Sequence, residues 1–214
     1  MSIGRIAWLF GVLVLLNACG GKFYEDQLVP NDAVEVPQNA GYLVGSIGFY
    51  IGDTDHAGAT SSYVWFRRIG SEESGSLAAK RGMFGDSGDY EEADRIGDVF
   101  ALPLKPGAYE FHNVGFYFYG AAGSKSYYGK EEFSAPFTIE KDKVYYAGEF
   151  LAFGRYGRNI FRFVIPAGGY FVHAENFERD SKLIMAKYPE LEDRPTETLD
   201  LNLNFPPLIV PAVD

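Results

Sequence analysis

The chain has 214 residues, 47% of them hydrophobic, enough for one modest domain with a real apolar core. Its formal charge of −10 argues against nucleic acid as a partner and against a polybasic lipid-binding patch. A single cysteine, Cys19, excludes an internal disulfide. Twenty-five glycines, 15 tyrosines and 18 phenylalanines make a strand-and-turn composition.

In chain order, Arg5 precedes an uncharged apolar run from Ile6 to Leu16, the layout of a secretory leader. A bilayer-spanning helix needs about twenty apolar residues, so this run is too short for a stable span. Leu16-Asn17-Ala18-Cys19 follows at once and resembles the lipobox of bacterial lipoproteins. That resemblance implies cleavage after residue 18, a diacylglycerol on the Cys19 thiol, and membrane lipid as the first partner. Two or three acyl chains give stable anchoring where one does not. Gly20 in place of Asp, by resemblance to enterobacterial sorting, implies the outer membrane, facing the periplasm. Loss of a leader carrying only Arg5 would take the charge from −10 to −11.

Residues 19–40, with Pro30 and Pro37, read as the acylated cysteine and an extended tether. The domain is expected over 41–205. Leu43, Ile47, Phe49 and Ile51 alternate with small or polar residues, predicting a half-buried strand ended at Gly52-Asp53. Ser62–Ile69 is a second strand, and 70–97 a long polar loop. Val99–Leu104 is a strand, Lys105-Pro106-Gly107 a turn, and Ala108–Tyr119 a long strand bulged or bent at Gly115, where the apolar phase switches faces. A loop over 120–132 and a strand at Phe133–Ile139 follow. A polar turn at 140–143 leads to a strand with Val144, Tyr146 and Phe150 on one face. Ile160–Ile165 is another strand, closed by Pro166-Ala167-Gly168-Gly169.

Asn176–Tyr188 is the one helix, with Phe177, Ile184 and Tyr188 on its apolar stripe and Pro189 ending it. Leu199, Leu201, Leu203 and Phe205 alternate with polar residues as an amphipathic strand, and 206–214 is a tail. These elements predict a mainly β fold, an antiparallel sandwich of immunoglobulin or transthyretin type with one C-terminal helix. Parallel pairing is excluded in this reading because no helices intervene between strands.

Phe100–Tyr109, an apolar strand, a Pro-Gly turn and an aromatic strand, resembles an element of small transthyretin-like sandwiches. Phe137–Tyr146 resembles the strand, polar turn and Val-Tyr-Tyr element of bacterial envelope lipoproteins with such a domain. No reaction is implied by that family.

Four groups of residues carry side chains suited to chemistry or binding. Gly85-Asp86-Ser87-Gly88 resembles the nucleophile loop of trypsin-like proteases. It lacks the upstream His and Asp of a triad, since His56 lies only about thirty residues before it. Asp53, Asp55 and Gly58 begin like a calcium loop, but Ala57 and Val64 stand where ligands are needed; a looser site from Asp86, Asp89, Glu91, Glu92 and Asp94 is the remaining calcium option. His56, His112 and His173 have no metal-ligand spacing. The tyrosines 117, 119, 127, 128, 145 and 156 combine an apolar face with a hydroxyl, a combination favoured at interfaces.

The expectation is therefore a lipid-anchored envelope module, not an enzyme, without cofactor or metal. It would bind an envelope protein or glycan through Tyr117, Tyr119, Tyr127 and Tyr128. An envelope-polymer hydrolase would instead bring His112 to Glu110 or Glu149, and calcium-stabilised adhesion would use the acidic loop.

Overall fold

The computed structural model describes residues 37, 39–81, 88–120 and 123–212. The leader, Cys19, most of the tether and Gly85-Asp86-Ser87 lie outside the described residues. Among the described residues no helix is long and apolar enough to cross a membrane.

The described chain is mainly β, in two sheets with one helix. The larger sheet runs β12 (Ile209–Pro211), β10 (Val164–Ala174), β9 (Val144–Arg158), β1 (Gly41–Tyr50), β5 (Arg95–Leu104) and β4 (Tyr90–Glu91), with β11 (Thr196–Thr198) also on β9. The smaller sheet runs β3 (Ser74–Lys80), β2 (Ser61–Arg68), β6 (Gly107–Gly120) and β7 (Gly123–Tyr128), with β8 (Ala135–Ile139) also on β6. Leu43, Phe66, Phe111, Phe150 and Phe171 fill the space between the sheets. Burying each such side chain is worth about 1.5–3 kcal/mol.

The smaller sheet is antiparallel throughout, as expected, but the larger is mixed. At its centre β1 pairs with β9 in parallel. No crossover helix is needed, because the chain between them spends its length in the other sheet and in β5. β1 is also buried on both faces rather than half-buried. Tyr42 and Val44 point away from the sandwich, into a second core with Val144, Tyr146, Ile184 and Leu191. Helix α1 (Phe177–Lys187) and the 3-10 turn Pro189–Leu191 cover that outer face.

Other expectations need correction. Within the supposed loop 70–97 lie β3, β4 and the start of β5. The β3 sequence Ser-Gly-Ser-Leu-Ala-Ala-Lys carries only Leu77 and Ala79 inward, too little apolar bulk to show the alternation. The supposed loop 120–132 contains β7. Ile160–Ile165 is not a strand but mostly the exposed tip of the β9–β10 hairpin. Leu199–Leu203 pack inward without strand pairing, because Leu201 and Leu203 N–H groups bond two residues back in tight turns. The stretch read as a tail returns to the sheet, where β12 pairs with β10 and buries Ile209.

Two bulges re-aim the side chains that matter. The first falls at His112, not at Gly115: Trp65 pairs with Asn113 while Phe66 pairs with Phe111. Gly115 pairs in register, and a Cβ there would lie 2.3 Å from the Trp65 ring, so its absence lets the indole lie flat on the strand. The second falls at Ala147-Gly148 of β9 opposite Gly45, with Gly148 at φ +87°. It ends the shared face expected of Val144, Tyr146 and Phe150. Val144 and Tyr146 face the helix, Phe150 faces the sandwich, and Glu149 is carried back beneath the helix.

Candidate functional site

The outward positions of β2, β6 and β7 fall in register: Tyr63 beside Gly115 and Tyr128, Trp65 beside Asn113, and Ser61 beside Tyr117 and Ser126. Alternation makes this one face, since Val64, Phe66, Val114, Phe116 and Phe118 take the inward positions. Tyr63 stacks on Trp65 with centroids 5.6 Å apart and planes at 14°, and Tyr128 tilts against Trp65 at 5.6 Å. Tyr119 and Tyr128 are exposed, and Tyr117 half-buried. The fourth tyrosine named from sequence, Tyr127, turns the other way. It packs on Phe118, and its hydroxyl donates to the Pro166 carbonyl at 2.5 Å. Tyr145 is buried in the sandwich core, and Tyr156 lies half-exposed near the β9–β10 hairpin tip.

Beside the indole opens a cavity of about 280 Å³ lined by Trp65, Arg67, His112, Asn113, Tyr128 and Glu132, with the 71–74 segment at its rim. Arg67 organises its charges. Its Nε donates to Glu110 at 2.7 Å and its Nη1 to Glu132 at 2.9 Å, while Ser134 donates to the other Glu110 oxygen at 2.5 Å. The Ser134 hydroxyl and the guanidinium hold the Glu110 carboxyl below its ordinary range. Glu110 in turn holds Arg67 firmly protonated.

His112, pushed toward the cavity by the bulge, is only 8% exposed. Burial first, and the Arg67 charge second, lower its pKa, so the imidazole is neutral near pH 7. Its Nδ1 is buried and has no hydrogen-bond partner among the described residues. The Glu132 carboxylate stands 3.7 Å away, beyond hydrogen-bond range. A buried polar atom without a partner costs about 1–3 kcal/mol.

Glu149 is elsewhere, beneath α1. It is wholly buried and accepts from Tyr90 Oη (2.9 Å), Arg95 Nη1 (2.9 Å), Asn176 Nδ2 (2.7 Å) and Arg179 Nη2 (2.9 Å). Asp180, also wholly buried, accepts from Ser46 Oγ (2.7 Å), Tyr146 Oη (2.8 Å) and Arg179 Nε (2.8 Å). The Arg179 guanidinium lies 3.9 Å over the Tyr90 ring. Burial works against its charge, but Glu149 and Asp180 keep it protonated. Phe177, expected inside, is exposed, because the buried side of the helix is spent on Asp180 and Ile184. Nothing in the helical pattern distinguished Asp180 from a surface acid.

The remaining candidates are dispersed. His56 bonds Asp53 at 2.9 Å, and Asp53 also accepts from Asp55 N–H and from the Tyr50 hydroxyl, closing the turn after β1. His173 donates to the Ala147 carbonyl at 2.8 Å, and burial lowers its pKa. Asp89 pairs with Lys187, Glu92 with Arg179, and Asp94 with Arg95. Among the described residues no group of three or more His, Cys, Asp or Glu side chains is placed to hold a metal ion. No protein-family model, curated protein or solved structure matches this chain.

Proposed function

We propose that the chain is a lipid-anchored, non-enzymatic binding module of a bacterial cell envelope, and that the ligand is a glycan. The observation that carries the binding half is the Trp65 face: stacked aromatic rings beside a cavity lined by Arg67, His112, Asn113 and Glu132. Sugar rings offer apolar faces to aromatics and hydroxyls to groups such as Arg67, Asn113 and His112. Support for the anchor is the Leu16–Cys19 motif after the apolar run. The same reading takes the two sheets as a transthyretin-like sandwich, on the strength of the Phe100–Tyr109 element. Its turn carries the chain from the larger sheet to the smaller.

Trp65 is the only tryptophan after residue 18, so its fluorescence reports on the site in the processed chain. Titration with soluble cell-wall glycan chains is expected to give a saturable change that Arg67→Met weakens. No saturable change with any glycan fraction would sink the reading.

A hydrolase remains the second reading because His112 and Glu132 line one cavity. Ion pairing of both nearby carboxylates to Arg67 favours binding instead. Release of new reducing ends, lost in Glu132→Gln, would decide for hydrolysis.

A further inference from the structure

β1 pairs with β9 only as far as Ala152, so beyond it β9 and β10 continue as a two-stranded ribbon. Tyr127 fastens the ribbon at Pro166, and beyond that point the strands run to a turn at 159–163. Its apolar side chains face solvent: Ile160 is 90% exposed, Phe161 72%, Phe163 66% and Val164 57%. Large apolar side chains clustered in solvent mark an interaction site.

The turn is nonetheless well made. Asn159 Oδ1 accepts from the N–H groups of Phe161 and Phe163, both at 3.0 Å. Asn159 N–H donates to the Phe163 carbonyl at 3.0 Å, and Arg162 N–H to the Asn159 carbonyl at 2.8 Å. With these backbone groups paired internally, the tip loses less on leaving water. Its charge is the reverse of the whole chain's: between Glu149 and Glu175 there are three arginines, Arg155, Arg158 and Arg162, and no acid. All three are exposed. Arginines around a convex apolar tip suit lipid phosphates above an acyl layer.

We propose that the 159–164 tip inserts into the headgroup region of an anionic bilayer, giving the domain a second membrane contact and a fixed orientation. An insertion depth of about 5–10 Å is the scale of interfacial elements. The proposal rests on the anchor reading only for the nearness of a membrane.

The test uses the full chain carrying Phe161→Trp, with Cys19 acylation checked by mass, in vesicles of phosphatidylethanolamine and phosphatidylglycerol with brominated acyl chains. Emission from residue 161, after subtraction of the parent's signal, is expected to be strongly quenched, and much less so in phosphatidylcholine vesicles. No quenching overturns the proposal, including the case in which emission instead blue-shifts with protein concentration because a second copy covers the tip. Equal quenching in both lipids overturns the role of the arginines. An acylated but unquenched chain would sink the hairpin alone, and a quenched but unacylated chain the anchor alone.

Discussion

Two ionic clusters, one on each sheet, are both built on arginine and carboxylates and end in opposite states. Beneath α1, Arg95, Glu149, Arg179 and Asp180 are saturated: Glu149 alone accepts from four side chains. On the smaller sheet Arg67, Glu110, Glu132 and His112 stand beside a cavity, and one buried nitrogen has no partner among the described residues. Both depend on a β-bulge, at Gly148 and at His112. A network whose donors and acceptors are paired rigidifies, whereas an unpaired buried polar atom is a cost to the fold. The first cluster holds the helix to the fold, and the second is the one that the proposed binding reading puts to use.

The largest effect separates them by stability. Arg179→Met leaves two buried carboxylates undercompensated and is expected to cost about 3–5 kcal/mol in urea unfolding. Arg67→Met, whose side chain is 40% exposed, is expected to cost at most about 1 kcal/mol. Equal losses would erase the distinction.

Next is the bulge beneath the helix. Gly148→Ala puts a Cβ 2.4 Å from His173 Nε2 at a positive φ, with an expected loss of roughly 1–3 kcal/mol by thermal or urea unfolding. A neutral outcome would mean that the bulge is not what places Glu149.

Tyr128→Ala should reverse the pattern. It is expected to change stability by no more than about 0.5 kcal/mol. Glycan affinity, by calorimetry, should fall about tenfold, equivalent to about 1.4 kcal/mol. Affinity held at the parent value would remove the tyrosine from the site.

The smallest effect is a pH dependence. His112 and His173 have folded pKa values below the ordinary 6.5, so below that pH the unfolded chain binds more protons. Stability is full above about pH 6.5 and declines as pH falls toward the folded values. His112→Gln is expected to flatten that decline, as read from urea midpoints between pH 7 and 5.

How much of this was legible beforehand follows from what each residue advertises. The alternation of Leu43, Ile47 and Phe49 marked β1, and the apolar density around Phe111 and Phe116 marked β6. β3 escaped because Gly75, Ala78 and Ala79 carry almost no apolar signal. The bulges escaped because a one-residue register shift is set by the partner strand, and Gly115 drew attention three residues from His112. Asp180 looked like a surface acid until tertiary packing supplied Ser46, Tyr146 and Arg179. Of the four surface tyrosines, Tyr127 shows the limit of residue type alone: adjacent to Tyr128 on a strand, it had to face the other way. Trp65, which lines the cavity, carries no signal in the sequence beyond its place in the Ser62–Ile69 strand.

The most direct test of the central claim is the nitrogen-15 spectrum of the three imidazoles during glycan titration. The account predicts that the Nδ1 signal of His112 shifts as glycan enters the cavity that His112 lines, while those of His56 and His173 stay in place. An unmoved His112 signal at saturating glycan would contradict it.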